Sequence, residues 1–146
     1  MQYMIGVDIG TTSTKAVLFD EAGHFVAKHS ITYPLMHKEV DASEENPDTI
    51  FDAVLMTVKH VVREQGVEHD QLKFMSFSAQ MHSLIAMDKD NQPLTESITW
   101  ADNRASAYAQ KLKEDSEGHE IYRRTGTPIH PMSPLAKIYW LKHEYN

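Results

Sequence analysis

The chain has 146 residues, 41% of them hydrophobic and 24% charged, with a formal net charge of −7. That length suits a single domain with a respectable core, and the composition is that of a folded globular chain rather than a disordered or membrane-embedded one. The negative balance disfavours nucleic acid, whose binders draw affinity from clustered Lys and Arg, but leaves room for a small anion held by local N–H groups and a divalent cation.

The first third reads as an antiparallel meander. Tyr3 to Ile9 is apolar and β-prone, Thr14 to Phe19 follows a turn of small residues, and His24 to Thr32 follows the turn formers Asp20-Glu21-Ala22-Gly23. Val40 to Glu45 reads as a short acidic connection. Asn46 then caps a helix with Pro47 at its first position, and Ile50, Phe51, Val54, Leu55, Val58, Val61 and Val62 are expected on its buried face until Gly66 stops it. Leu72 to Ser78 is expected as a buried strand, Leu84 to Met87 as another and Ile98 to Trp100 as a short one, with Asp88-Lys89-Asp90-Asn91 as a turn. Ala101 to Glu117 is helical in composition. A last helix starts at Pro134 with Leu135, Ile138, Leu141 and Tyr145 at helical spacing, and it carries no cap signal before Asn146, which suggests truncation.

Cysteine is absent, so disulfides, thiolate metal sites and thiol nucleophiles are excluded and a reducing compartment fits. The segment Met1 to Asp8 has no basic leader character, and no run approaches the roughly 20 apolar residues of a bilayer span. The expectation is a cytoplasmic protein with no membrane partner.

The densest chemistry lies in Asp8-Ile9-Gly10-Thr11-Thr12-Ser13-Thr14-Lys15, between two expected strands. Glycine lets the backbone approach a ligand closely, and successive hydroxyls and N–H groups can surround phosphate oxygens. Asp8 would repel those oxygens alone, but a Mg²⁺ ion bridges carboxylate and phosphate. Taken as residues only, a hairpin rich in turn formers explains the segment equally well. It is neither a P-loop, lacking the Gly-Lys-Ser/Thr ending, nor a dinucleotide fingerprint.

This segment, with Ala16-Val17-Leu18-Phe19-Asp20 after it, resembles the first phosphate motif of the FGGY carbohydrate kinases, which include glycerol, xylulose, ribulose and gluconate kinases. The resemblance implies an α/β fold, the ribonuclease-H-like domain of the actin/hexokinase superfamily, with a mixed sheet and flanking helices. It implies ATP and Mg²⁺ as cofactors, Asp8 near the metal, and Gly10, Thr11, Thr12, Ser13 and Lys15 at the nucleotide phosphates.

Two further segments match in family order. Ser78-Ala79-Gln80-Met81-His82-Ser83 resembles the Gln-Met-His segment of xylulose kinases, and Gln80 and His82 can each donate and accept hydrogen bonds to a polyhydroxylated substrate. Without the resemblance, a solvated strand end with Met81 in the core is the simpler reading. Thr99-Trp100-Ala101-Asp102-Asn103-Arg104 is similar to the family's Trp-x-Asp-x-Arg segment, where Trp100 would face a sugar's carbon skeleton and Asp102 and Arg104 its polar groups. A core tryptophan, an Asp N-cap and a surface arginine account for it equally well.

Arg124 to Lys137, including Met132, resembles gluconate kinases in particular, as does Ser78 to Asp88. Glycerol kinases carry a tyrosine near the position of Met132. Substrate binding is thus expected at Gln80, Met81, His82, Trp100, Asp102, Arg104 and Met132. The resemblance covers Tyr3 to the last residue and implies that residues 1–146 are an N-terminal piece, the catalytic base and adenine site lying further along. The implied activity is transfer of phosphate from ATP to a sugar or sugar acid, gluconate first, with xylulose, or a non-catalytic actin-like or sugar-sensing role, as alternatives. A homodimer is a further expectation, since a cleft wall that another domain normally covers would expose apolar surface.

Other signals fail. None of the nine histidines forms H-E-x-x-H, and the calcium-like start Asp88-x-Asp90 is broken by Pro93 and Thr99 at the required glycine and glutamate positions.

Overall fold

The structure, a computed structural model, describes residues 1–145, which divide into two compact units: residues 1–35 with 46–80, and residues 36–45 with 81–145. In the first unit β1 (Tyr3–Ile9), β2 (Ser13–Asp20) and β3 (Phe25–Thr32) form the expected meander. Asp20 closes the second hairpin by accepting the N–H groups of Ala22 and His24 at 2.9 and 2.8 Å. The bond from the His24 N–H, with the contact to the His24 ring, holds the Asp20 carboxyl below its ordinary pKa.

Helix α1 (Pro47–Glu64) begins at Asn46, whose side chain accepts the Thr49 N–H at 2.9 Å, and ends before Gly66 in the left-handed region. It leads through a 3₁₀ turn (His69–Gln71) into β5 (Leu72–Ala79), which lies parallel to β1, as a crossover helix permits; β4 (Glu44–Glu45) belongs to the second unit. The sheet order is β3-β2-β1-β5. Ile5, Val7, Ala16, Leu18 and Ala27 on one sheet face meet Val61 and Val67, with Val54, Val58 and Val62 beside them.

Two expectations are corrected here. The buried stripe of α1 is Ala53, Thr57 and Val61, while Phe51 and Leu55 are exposed. Close approach to the sheet selects small residues at i, i+4 and i+8, and Thr57 hides its hydroxyl by donating to the Ala53 carbonyl at 2.8 Å. β5 is not buried: Phe74 and Phe77 are 52% and 56% exposed. Among the described residues it pairs only with β1, so it is an edge.

In the second unit the acidic connection proves to be structured. β4 (Glu44–Glu45) pairs antiparallel with β6 (Ser97–Ile98), and both Glu residues are buried. The expected strand Leu84 to Met87 reduces to isolated bridges from Leu84 to Ile98 and Met87 to Pro93. Pro93 has no N–H to extend a ladder, and the Ala86 N–H is taken by Thr95 Oγ1 instead. Asp88 turns the chain as expected, accepting the N–H groups of Asp90 and Gln92.

The helix expected over Ala101 to Glu117 is two helices, α2 (Ser106–Glu114) and α3 (Ser116–Thr125). Asp115 breaks it with an extended ψ of 142° and caps α3 by accepting the Glu117 N–H. In α4 (Pro134–Glu144) the buried residues are Ala136, Lys137 and Trp140, while Leu135 and Ile138, and Tyr145 just past its end, are exposed. The expected apolar face is therefore rotated, because a lysine occupies the core side. The expectation for Asn146 lies outside the described residues. Ile98, Ala105, Ala109, Ile129, Ala136 and Trp140 make this unit's core.

Candidate functional site

The residues expected at phosphate sit in the β1–β2 hairpin. Gly10 donates its N–H to the Ser13 carbonyl at 2.9 Å, and a Cβ on Gly10 would stand 3.2 Å from that oxygen, so the turn is drawn tight around a glycine. Tyr33, buried and unnoticed in the sequence, secures the turn from below. Its hydroxyl donates to the Gly10 carbonyl at 2.6 Å, lies 3.1 Å from Thr14 Oγ1, and its N–H donates to the Thr12 carbonyl. A lone tyrosine after a strand carries no sequence signal for such a brace.

Thr12 and Lys15 remain exposed. Asp8 is exposed on β1 directly opposite Lys15 across the antiparallel pair and beside Ser78 across the parallel one. A shallow groove of about 330 Å³ runs over this face, lined by Gly6, Asp8, Lys15, Phe19 and Ser78 among others. A carboxylate beside an ammonium and hydroxyls, next to a glycine turn, is a hard-oxygen environment that fits a metal–phosphate pair. No cluster of three or more His, Asp or Glu that could hold a metal alone occurs among the described residues. Gln80 belongs to the same unit: its N–H donates to the Ile9 carbonyl at 2.8 Å and its Oε1 accepts from Thr11 Oγ1 at 3.0 Å. The structure thus ties Gln80 to the Gly10 turn.

The remaining expected substrate residues lie in the second unit. Met81 is exposed, and His82 takes φ = 61°, a left-handed conformation uncommon for a side-chain-bearing residue. His82 lines a hollow of about 270 Å³ with Thr125, Thr127, Ser133 and Leu135. Trp100 is 45% exposed, as a stacking surface needs.

Asp102 is fully buried. Its carboxylate accepts the Ser43 N–H at 2.9 Å, the Arg104 N–H at 3.1 Å and the Arg104 guanidinium at 2.8 Å, so any part it has in binding runs through these neighbours. Arg104 also reaches Glu44 at 2.5 Å and Glu39 at 3.1 Å and lies over the Trp140 ring. Burial by itself would lower the guanidinium pKa; the bonds to Asp102 and Glu44 outweigh it and hold the value above the ordinary one. Met132 is half-buried, its carbonyl accepting from Lys137 Nζ at 3.0 Å. Glu44 and Lys137 were both missed as site residues, because Arg104 lies 60 residues from Glu44, and His82 and Thr99 lie 55 and 38 residues from Lys137.

Known proteins resemble this chain along its whole length. A gluconokinase of Bacillus subtilis is 53% identical over 142 residues, covering 97% of this chain and 27% of that protein. A xylulose kinase of Staphylococcus xylosus is 30% identical over 143 residues, covering 98% and 29%. The crystal structure of gluconate kinase from Lactobacillus acidophilus superposes with a TM-score of 0.90 at 44% identity, covering 98% of this chain and 28% of that one. The chain therefore spans little more than a quarter of the length of the relatives it matches. The profile described as the FGGY family of carbohydrate kinases, N-terminal domain, matches residues 3–146. With the mixed sheet and the glycine turn of β1–β2 in place, the chain belongs to the FGGY family of carbohydrate kinases.

Proposed function

We propose that the full-length protein transfers the γ-phosphate of ATP to the primary hydroxyl of an open-chain sugar acid, gluconate first. The observation that carries this is the β1–β2 turn, drawn tight at Gly10, braced by Tyr33 and tied through Thr11 to Gln80. The choice of acceptor is supported by 53% identity to a gluconokinase against 30% to a xylulose kinase.

In this reading Gly10, Thr11, Thr12 and Ser13 offer N–H and hydroxyl groups to the phosphates, and Lys15 adds positive charge. Asp8 would hold Mg²⁺, which supplies charge neutralisation between carboxylate and phosphate oxygens when bound. His82 and Gln80 offer hydrogen bonds to acceptor hydroxyls, Trp100 an apolar face, and Met81 and Met132 apolar contacts; Asp102 aims Arg104. The transfer forms a bond between the alcohol oxygen and the γ-phosphorus and breaks the bond from that phosphorus to the β–γ bridging oxygen. The alcohol proton passes to a base in the part of the relatives' length that this chain does not span. The 146-residue chain by itself is accordingly expected to be inactive.

A second reading, xylulose as acceptor, draws on a ligand-bound xylulose kinase structure from Lactobacillus acidophilus at 44% identity and a TM-score of 0.91. A coupled ADP assay of the full-length protein with gluconate, xylulose, ribulose and glycerol separates the two. Highest kcat/KM on gluconate is expected, and preference for xylulose would overturn the assignment. Sugar and ATP binding without turnover would favour a sensing role.

A further inference from the structure

Lys137 is the largest fully buried side chain among the described residues, at 0% exposure, and it enters the core from the inner face of α4. An ammonium has three N–H bonds to place. Here Nζ donates at 2.9 Å to the carbonyl of His82, at 2.6 Å to that of Thr99 and at 3.0 Å to that of Met132. All its acceptors are backbone oxygens, and Asp102 acts on it only through space. Burial lowers its pKa to about 8, the field of Asp102 opposing and that of Arg104 adding to the shift.

A desolvated charge is an expensive way to fill space that an unbranched apolar side chain could largely fill. What the ammonium does that an apolar side chain would not is hold three carbonyls at one point. They come from segments 55, 38 and 5 residues away along the chain. One belongs to the left-handed residue His82, one immediately precedes the half-exposed Trp100, and one is that of Met132. Carbonyl dipoles turned toward one another repel, so without a cation at their focus the segments would separate.

We propose that Lys137 is a positioning residue, a tethered cation that gathers the His82, Thr99 and Met132 carbonyls and thereby sets His82, Trp100 and Met132 for the acceptor. The link to the acceptor rests on the proposed function; the gathering of the segments does not.

The test uses the full-length protein with Lys137→Met, which keeps an unbranched side chain one atom shorter without charge or donors, and with Lys137→Gln, which keeps two N–H donors without charge. Hydrogen–deuterium exchange is expected to quicken in residues 81–84, 99–103 and 130–134 while residues 47–64 stay as in the wild type. In the same variants the KM for the acceptor should rise roughly tenfold to a hundredfold, with the KM for ATP nearly unchanged. Unaltered exchange in the three segments overturns the proposal. So does a parallel rise in both KM values with loss of protection throughout, which marks a general structural role. If Lys137→Met does not fold, Lys137→Gln decides by the same measurements. If the wild type phosphorylates none of the sugars, the functional reading falls, and the exchange arm still decides whether Lys137 gathers the segments.

Discussion

At the scale of single residues, the Trp-x-Asp-x-Arg segment shows how a recognisable motif can be built for support as well as contact. Asp102 satisfies Ser43 and Arg104 at once from a position with no solvent access. Removing it takes the fully buried carboxylate partner from a guanidinium that is only 13% exposed, leaving it Glu44 and Glu39, and takes the acceptor from the Ser43 N–H. Asp102→Ala is therefore expected to destabilise the chain by about 3 kcal/mol in urea unfolding. Glu39, whose side chain is 62% exposed, pairs with the same guanidinium in water, and Glu39→Ala is expected to change stability by less than about 1 kcal/mol. Equal losses would mean that burial does not set the strength of these ion pairs. The motif was legible in the sequence; its saturation was not, because Ser43 and Glu44 lie 59 and 60 residues away.

At the scale of elements, boundaries followed local chemistry wherever caps and turn formers stood close by. Asn46-Pro47 and Gly66 bounded α1, and Asp20 and Asp88 closed their turns, because each bond spans only two to four residues. The α2–α3 break also had a local signal, Asp115 followed by Ser116 and Glu117, which the helical composition around it masked. The corner brings Gly118 against α2: a Cβ there would stand 1.7 Å from the Leu112 carbonyl oxygen and 3.0 Å from Ile129 Cδ1. Since backbone would have to move, Gly118→Ala should destabilise the chain by about 3 kcal/mol by thermal or urea unfolding, although alanine is the better helix former. A neutral or stabilising outcome would show that the corner yields.

At the scale of the whole chain, each of the two units has its own core, and in the first burial is one-sided. In the first unit the core lies between α1 and one face of the sheet, and β5 leaves aromatic side chains in solvent. Leu18→Ala, at 0% exposure, is expected to destabilise by about 3 kcal/mol, whereas Phe77→Ser, at 56% exposure, should change the urea midpoint of this chain little. If Phe77→Ser were the more damaging, the edge assigned to β5 would be wrong. The expected buried strand failed for the same reason: an apolar run states that burial is available to it, not that a neighbouring strand is there to provide it.

The sequence by itself determined the hairpins, the Gly10 turn between β1 and β2 and the bounds of α1, because each depends on hydrogen bonds and side-chain periods within a few residues. Tertiary structure decided the rest: that residues 36–45 fold with residues 81–145, that Tyr33 braces the Gly10 turn, and that Lys137 meets carbonyls from three segments. All but the Lys137–Met132 bond join positions tens of residues apart, and what selects them is the packing of buried surface and the need to satisfy buried polar groups, which no local pattern records.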